Sequence, residues 1–201
     1  MTDAATQPAV RRGRPGYDRD ELITVCVETF NRHGYEGTSM GALARELGIS
    51  KSAIYHHVSS KEEILDIALT HSLSELESVV EEAGSAGLRP VEEFERILGS
   101  SIEVLTRSLP YVTLLLRLRG NSDLEVRALQ RRRDITLRLA ELVRRAQSDG
   151  DLRADIDART VSRLTMGMVN SIVDWYRPER VASVDALRDH MVSLMLDGLR
   201  R

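Results

Sequence analysis

Apolar residues recur every three or four positions through most of the chain, which is the spacing of amphipathic helices. The first run places Leu22, Cys26 and Phe30 four residues apart. Asp18 and Glu21 stand three residues apart just before it, in the arrangement of a capping box that begins a helix. The pattern therefore predicts a first helix that starts near Asp18.

Two short apolar runs follow, and Gly48 separates them. Either Thr38 or Ser39 is expected to cap the first of these helices. Ser50 is expected to cap the second, which should extend to about Val58. Two short helices joined at a glycine are typical of small DNA-binding modules.

A longer run begins at Ser60, which forms a second capping box with Glu63, and continues toward Gly84. Glycine and proline then divide the remaining apolar periodicity into further predicted helices at 91–107, 109–119, 123–148, 157–176 and 183–199. Residues 1–17 lack apolar periodicity and are predicted to form a flexible basic arm. The sequence thus predicts an all-α fold of about nine helices.

The composition limits where the protein can be located in the cell and which kinds of partner it can bind. The net charge is −3, but residues 1–61 carry eight basic and seven acidic residues, whereas the remainder carries 20 and 24. Cys26 is the single cysteine and lies at helical spacing among apolar residues, so we expect a core side chain and no disulfide framework. No apolar run approaches the roughly 18 to 20 residues that span a bilayer. We therefore expect a soluble, cytoplasmic protein that does not bind membranes.

The segment around Gly48 has the residue types of a helix-turn-helix. Ala44 is small where two backbones approach, Gly48 suits the turn, and Ile54 is a branched apolar residue that can lock the second helix. The second helix of such a motif enters the major groove of DNA. The side chains at its start that would reach base edges are Lys51, Ser52 and Ala53.

Other polar side chains around this motif are placed to contact the phosphate backbone. Together with Ser50 at the start of the helix, they are Thr38, Ser39, Tyr55, His56, His57 and Lys61. Three arginines of the arm, which could enter an adjacent minor groove, are Arg11, Arg12 and Arg14. The predicted partner is therefore double-stranded DNA.

The string TSMGALARELGISKSAIYHHVSSKEEIL at 38–65, with FNRHGYEGTS at 30–39, resembles the DNA-binding signature of TetR-family transcriptional regulators. The resemblance implies a three-helix DNA-binding domain at 18–62 and a C-terminal effector-binding and dimerisation domain at 63–201. It implies a homodimer on a palindromic operator. It also implies base contacts from Lys51 and Ser52, and phosphate contacts from Thr38, Tyr55, His57 and Lys61.

In the family that the chain resembles, the last two helices pair with their copies in a four-helix dimer interface. The apolar positions predicted for that role are Val161, Leu164, Met168, Ile172, Leu187, Met191 and Leu194. The alternative is that these residues belong to the core of one chain.

An effector site is predicted from apolar helices that carry arginines. The stretch LPYVTLLLRLR at 109–119 ends in two arginines, and residues 131–133 are consecutive arginines. At about 100° per residue, at least one of these three should face away from open solvent. An apolar cavity with arginines suits an amphipathic anion such as an acyl-coenzyme A thioester. The candidate ligand residues are Tyr111, Leu115, Arg119, Asn121, Arg133, Met166, Asn170 and Trp175.

The motifs RRGRPGYDR near the start, TLLLRLRGN at 113–121 and WYRP at 175–178 are similar to those of actinobacterial regulators of phenylacetate or other aromatic-acid degradation. That resemblance implies a ligand-responsive repressor with phenylacetyl-coenzyme A as effector. A regulator of a hydrophobic small molecule or of a drug-efflux operon is an alternative, as is a DNA-binding adaptor without a ligand.

An enzyme is a further alternative, in the form of a small helical protein that acts on acyl thioesters. The sequence lacks the Gly-x-Ser-x-Gly, phosphate-loop and His-Glu-x-x-His motifs, so no catalytic residue is predicted. His56 and His57 are adjacent rather than four apart, which disfavours a shared metal site. We expect neither a metal nor a cofactor.

Overall fold

The computed structural model describes residues 17–180 and 183–200, and nine α-helices lie within those residues. The helices are α1 (Arg19–His33), α2 (Met40–Leu47), α3 (Lys51–Tyr55), α4 (Lys61–Gly84), α5 (Pro90–Arg107), α6 (Leu109–Leu116), α7 (Asp123–Ser148), α8 (Ala158–Trp175) and α9 (Val184–Asp197). The extended segments of the described residues contribute one isolated antiparallel bridge, between Leu152 and Arg200. The all-α fold predicted from the sequence is confirmed.

Most helices begin at a serine or aspartate whose side chain accepts a hydrogen bond from a backbone N–H three residues later. Asp18 forms the predicted capping box with Glu21. The same N-cap contact is made by Ser39, Ser50, Ser60, Ser122, Asp157 and Ser183. Each cap satisfies an N–H that has no partner inside its helix and contributes about 1 kcal/mol. Because caps are local, the sequence could predict most helix starts.

The third helix is shorter than predicted. It ends at Tyr55 and is followed by a turn in which the N–H groups of His57 and Val58 both bond to the carbonyl of Ile54. This turn buries the Val58 side chain. The apolar residue that suggested a longer helix therefore belongs to the loop before α4.

The first core joins the helix-turn-helix to the rest of the chain. Its members on α1 to α4 include Leu22, Phe30, Leu43, Ile54 and Ile64, and the same cluster contains Leu114 and Leu115 of α6 and Ile135 of α7. The boundary predicted at residue 62 thus crosses a continuous apolar core.

Helices α5 to α9 surround two further cores. One contains Phe94, Val143 and Val161, and the other contains Ile102, Val169 and Ile172. No helix in the described part of the chain combines the length and hydropathy needed to cross a lipid bilayer.

Helix α6 ties α1 to the C-terminal helices through polar contacts. The Asn31 side-chain Nδ2 donates to the carbonyl of Pro110 at 2.8 Å, and the hydroxyls of Thr24 and Tyr111 are 2.8 Å apart. The Tyr111 ring also lies against the imidazole of His71 on α4, with ring centroids 4.7 Å apart. One side of α6 therefore holds the N-terminal helices in place.

Candidate nucleic-acid interface and ligand cavities

The turn between α2 and α3 is built on Gly48, whose φ of 66° and ψ of 28° lie in the left-handed region that residues with a Cβ rarely adopt. The N–H of the next residue, Ile49, returns to the carbonyl of Ala44 at 3.1 Å. Ile54 is fully buried in the first core. These contacts hold α3 by one side and leave its other side in solvent.

The exposed side of α3 carries a cation, a hydroxyl and a phenol. Lys51 and Ser52 are exposed, and Tyr55 is 46% exposed although it is aromatic. The Lys51 Nζ lies 5.9 Å from the centroid of the Tyr55 ring. Ser50 accepts a hydrogen bond from the Ala53 N–H at 3.1 Å, so its hydroxyl caps the helix. The helix contains no acidic residue, which suits the negative potential of a DNA groove.

The two histidines after α3 occupy different environments. His56 is exposed, whereas His57 is partly buried and its carbonyl accepts a hydrogen bond from Arg19 Nε at 3.1 Å. Both remain predicted phosphate contacts. The predicted minor-groove residues Arg11, Arg12 and Arg14 lie outside the described residues.

At the start of α2, Ser39 and Thr38 have separate roles. The exposed Ser39 hydroxyl caps the helix by accepting from the N–H of Ala42 at 3.2 Å. Thr38 is buried, and its hydroxyl donates to the carbonyl of Gly34 at 2.7 Å. A side-chain contact from Thr38 to phosphate is therefore not supported, because the hydroxyl already closes the preceding turn.

Lys61, at the start of α4, is held against the aromatic ring of Tyr35. Its Nζ lies 4.2 Å from the ring centroid, donates to the Tyr35 carbonyl at 2.9 Å and is 3.9 Å from a carboxylate oxygen of Glu36. Burial, and then the carboxylates of Glu62, Glu36 and Glu125, raise the pKa of Tyr35 to about 12. The phenol is therefore neutral, and the cation lies over its ring.

A cavity of about 270 Å³ lies among α4, α6, α7 and α8, and we refer to it as the bundle cavity. Its apolar lining includes Leu76, Val112, Leu115, Leu116, Ile135 and Met166. The polar part of the lining includes two basic side chains, Arg132 and Arg163, the hydroxyl of Thr136 and the amide of Asn170. Of the predicted ligand residues, this cavity brings together Leu115, Met166 and Asn170.

The three consecutive arginines of α7 point to different surroundings. Arg131 pairs with Glu77, and Arg132 lines the bundle cavity, where burial and then the charge of Arg133 lower the pKa of its guanidinium. Arg133 is exposed. One of the three thus turns from open solvent, as predicted, but it is Arg132, and the predicted ligand residue Arg133 does not line this cavity. The rotation of about 100° per residue puts its neighbour at the cavity.

A second cavity of about 330 Å³ lies where α1 and the loop after it meet the end of α6, and we call it the junction cavity. Arg119 and Asn121 line this cavity and not the bundle cavity. The loop that carries them is anchored by the buried Glu125, whose Oε2 accepts the N–H groups of Arg119, Gly120 and Asn121 at 3.1, 2.8 and 3.1 Å.

An exposed apolar face runs along α8 and α9. Leu164 and Leu194 are 66% and 67% exposed, and Met168 and Trp175 extend the face along α8. Large apolar side chains exposed together in this way mark an interaction surface.

Family comparisons match both parts of the chain. Residues 22–67 match the model described as bacterial regulatory proteins, tetR family, and residues 87–199 match the model described as tetracyclin repressor-like, C-terminal domain. The second match alone spans more than half of the sequence. The chain belongs to the TetR family. As a TetR-family transcriptional regulator, it has the helix-turn-helix DNA-binding domain of the family in α1 to α3, and dimerisation and ligand binding are typical of such regulators.

Similar proteins cover nearly the whole TetR-family chain. The HTH-type transcriptional repressor KstR2 of Rhodococcus jostii is 28% identical over 192 residues, 90% of each protein. SCO3833, a TetR-family member from Streptomyces coelicolor, is 43% identical with a TM-score of 0.84 over 94% of each chain. AibR in complex with isovaleryl coenzyme A and operator DNA has a TM-score of 0.74 at 23% identity, covering 88% of this chain and 96% of its own, and shares the fold.

Several residues predicted for the TetR-type dimer face are instead buried within one chain. They are Val161, Ile172 and Met191, which are 3%, 0% and 8% exposed, while Leu187 is partly buried against the third core. Leu164, Met168 and Leu194 do lie on the exposed face. Both sets recur at helical spacing, so the spacing alone did not separate the core side of each helix from its outer side.

Besides Arg133, two predicted ligand residues line neither the bundle cavity nor the junction cavity. Tyr111 is instead engaged with Thr24 and His71 in the link between α1, α4 and α6. Trp175 is 49% exposed at the end of α8, so its position fits the exposed apolar face better than a ligand site.

Proposed function

We propose that this TetR-family protein is a homodimeric repressor that releases its operator when the bundle cavity binds an acyl-coenzyme A thioester, with phenylacetyl-coenzyme A as the leading effector. The observation that carries the proposal is the pair of arginines in the bundle cavity. Neither Arg132 nor Arg163 has a carboxylate partner within residues 17–180 and 183–200. Each guanidinium is therefore available to an anion.

The remaining lining suits the acyl group. Leu115, Leu116, Ile135 and Met166 provide an apolar surface, and a volume of about 270 Å³ holds a short or aromatic acyl chain but not the whole coenzyme. Small-molecule sites are commonly apolar with a few polar groups that fix orientation. We therefore place the acyl group inside and the coenzyme outside, folded so that its phosphates return to the arginines, because a guanidinium forks around phosphate oxygens.

Helix α6 would carry the signal to DNA. Val112, Leu115 and Leu116 of α6 line the bundle cavity, while Pro110 and Tyr111 contact α1. An effector that displaces α6 thus also displaces helices α1 to α3, which we call the reading head. A ligand shifts such an equilibrium only by its differential affinity for the two states, so the effector must favour the state that does not fit the operator.

The dimer in this proposal forms through the exposed apolar face of Leu164, Met168, Trp175 and Leu194. The proposal requires that a twofold axis through that face bring two α3 helices to one side of the dimer. They would then enter successive major grooves, about 34 to 36 Å apart or a multiple of that, which requires a palindromic operator.

The predicted phosphate contacts are Tyr55, His56, His57, Ser39 and Lys61, with Lys51, Ser52 and Ala53 at the bases. The solved complex of AibR with isovaleryl coenzyme A and operator DNA supports an acyl-coenzyme A effector on this fold. The resemblance of the sequence to regulators of aromatic-acid degradation favours the phenylacetyl group.

Calorimetric titration of the full-length protein tests the effector site. We expect phenylacetyl-coenzyme A to bind with one site per chain, and Arg132→Gln or Arg163→Gln to weaken binding about tenfold, because each removes charge-assisted hydrogen bonds. Arg133→Gln is the matched control, since it removes the same charge from the exposed neighbour on α7.

The choice of ligands separates the alternatives. Isovaleryl-coenzyme A tests the breadth of the acyl site, and free coenzyme A should bind more weakly than either thioester. Tight binding of an uncharged hydrophobic drug that is insensitive to Arg132→Gln would favour a drug-responsive regulator. Catalytic release of thiol from phenylacetyl-coenzyme A would favour an enzyme and contradict the proposal.

A further inference from the structure

We propose that the junction cavity is a second ligand site, separate from the bundle cavity, for a small carboxylic acid that also carries a hydroxyl. The cavity lies between the reading head and the C-terminal helices and has an apolar floor, an unsatisfied acceptor and two guanidinium groups. Each of these features restricts the chemistry of the ligand.

The floor and the volume limit the body of the ligand. Phe30 and Leu114 are buried, and Leu118 is partly exposed beside them. A cavity of about 330 Å³ lined in this way holds one aromatic ring with short substituents, whereas a whole nucleotide or coenzyme is too large to be enclosed in it.

The side-chain amide of Asn31 favours a ligand that carries a hydroxyl group. Its Nδ2 donates to the Pro110 carbonyl at 2.8 Å, which fixes the orientation of the amide. Its Oδ1 is buried and accepts no hydrogen bond from the described residues. A buried acceptor without a donor is costly, so a ligand O–H gains a favourable hydrogen bond here once the side chains that cover this oxygen move aside.

The guanidinium groups of Arg117 and Arg119 favour a ligand that carries a carboxylate. Arg117 donates to the carbonyl of Asn31, and neither arginine is paired with a carboxylate of the described residues. Of the two acidic side chains in the lining, Glu125 accepts three backbone N–H groups, and Glu36 is 69% exposed with its carboxylate 3.9 Å from the ammonium of Lys61. The arginines thus provide positive charge for an anion.

A ligand bound here would contact α1 through Asn31 and the loop after α6 through Arg119 at the same time. It would therefore restrain the reading head relative to the C-terminal helices. We infer that the hydroxy acid changes operator affinity by a route that does not pass through the bundle cavity. This inference does not depend on the identity of the thioester effector.

The test is calorimetric titration of the full-length protein with three matched probes. They are 4-hydroxyphenylacetate, phenylacetate, which lacks the hydroxyl, and 4-hydroxyphenylacetamide, which lacks the charge. We expect the first to bind with one site per chain and each of the others to bind about tenfold more weakly. Arg119→Gln should weaken 4-hydroxyphenylacetate about tenfold, whereas Arg133→Gln and Arg132→Gln should leave it unchanged.

Each contrary result overturns a defined part of the proposal. Absence of 4-hydroxyphenylacetate binding, or binding that Arg119→Gln does not weaken, removes the junction site. Equal affinity for phenylacetate removes the role of Asn31. Binding that is lost in Arg132→Gln and kept in Arg119→Gln assigns the acid to the bundle cavity. Failure of phenylacetyl-coenzyme A to bind leaves this test unaffected.

Discussion

Arg131 holds the carboxylate of Glu77 with two hydrogen bonds, from Nε to Oε1 at 2.9 Å and from Nη2 to Oε2 at 2.7 Å. This pair joins α7 to α4 and lowers the pKa of Glu77 below its ordinary value, first through the hydrogen bonds to Arg131. The next residue on α7, Arg132, lines the bundle cavity. In the proposed mechanism, a ligand that displaces α7 would therefore also displace α4 through this pair.

Glu77→Gln should weaken this coupling without weakening effector binding. We expect the calorimetric affinity for phenylacetyl-coenzyme A to be unchanged and the coupling free energy between effector and operator to fall by about 1 kcal/mol. Because both side chains are about a third exposed, the loss of stability should stay below about 1 kcal/mol. Glu81→Gln is the control, because Glu81 is 70% exposed and its ion pair with Arg138, at 4.0 Å, is long and weak. Equal coupling in the two variants would exclude the Arg131–Glu77 route.

Lys61 and Lys51 should affect DNA binding in different ways. Lys61→Ala should reduce affinity for all DNA sequences and lower the salt dependence by about 0.9 in the logarithmic slope, as expected for one phosphate contact. Lys51→Ala should change the preferred bases, measured by in vitro selection from a random DNA pool. If the salt slope of Lys61→Ala were unchanged, the ammonium of Lys61 would not contact phosphate and would only pack on the Tyr35 ring.

The exposed apolar face should hold the dimer together. The double variant Leu164→Glu with Leu194→Glu should raise the dissociation constant of the dimer by about a hundredfold or more, because charges are buried against an apolar surface and against their own copies. Sedimentation velocity measures this directly. Leu137→Glu is the control, as Leu137 is 53% exposed on α7 and lies outside the face. A dimer that survives the double variant, with helical content intact, would place the interface elsewhere.

Cys26 should be unreactive in the folded protein. The side chain is fully buried, and burial raises the pKa of its thiol to about 12. Because the thiolate is the reactive form, a disulfide reagent in mildly alkaline buffer should modify the native protein only as fast as it unfolds. In denaturant the same reagent should titrate one thiol per chain. Rapid modification of the native protein would contradict the burial of α1.

The sequence could predict the helices because their starts depend on neighbouring residues. Asp18 and Ser60, for example, meet the N–H groups that they cap three residues later, so their role is visible in the local pattern. The α3 end was not predicted, because Val58 is buried by a turn and not by a helix.

The ligand and dimer residues were harder to predict because their role depends on which way a helix faces. Arg132 and Arg133 differ by one position, yet only Arg132 lines the cavity. The contact of Lys61 with Tyr35 joins residues 26 positions apart and has no local signal. Likewise, no sequence spacing indicates that the Oδ1 of Asn31 accepts no hydrogen bond from the described residues, since that follows from the packing of α6 on α1.

Control of DNA binding through the bundle cavity is measured directly by fluorescence anisotropy of a selected operator fragment while phenylacetyl-coenzyme A is added. We expect the native protein and Arg133→Gln to release the DNA at similar effector concentrations. Arg132→Gln should bind the operator normally and need about ten times more effector. Release by Arg132→Gln at the native concentration, or no release by any of the three proteins, would contradict effector control through this cavity.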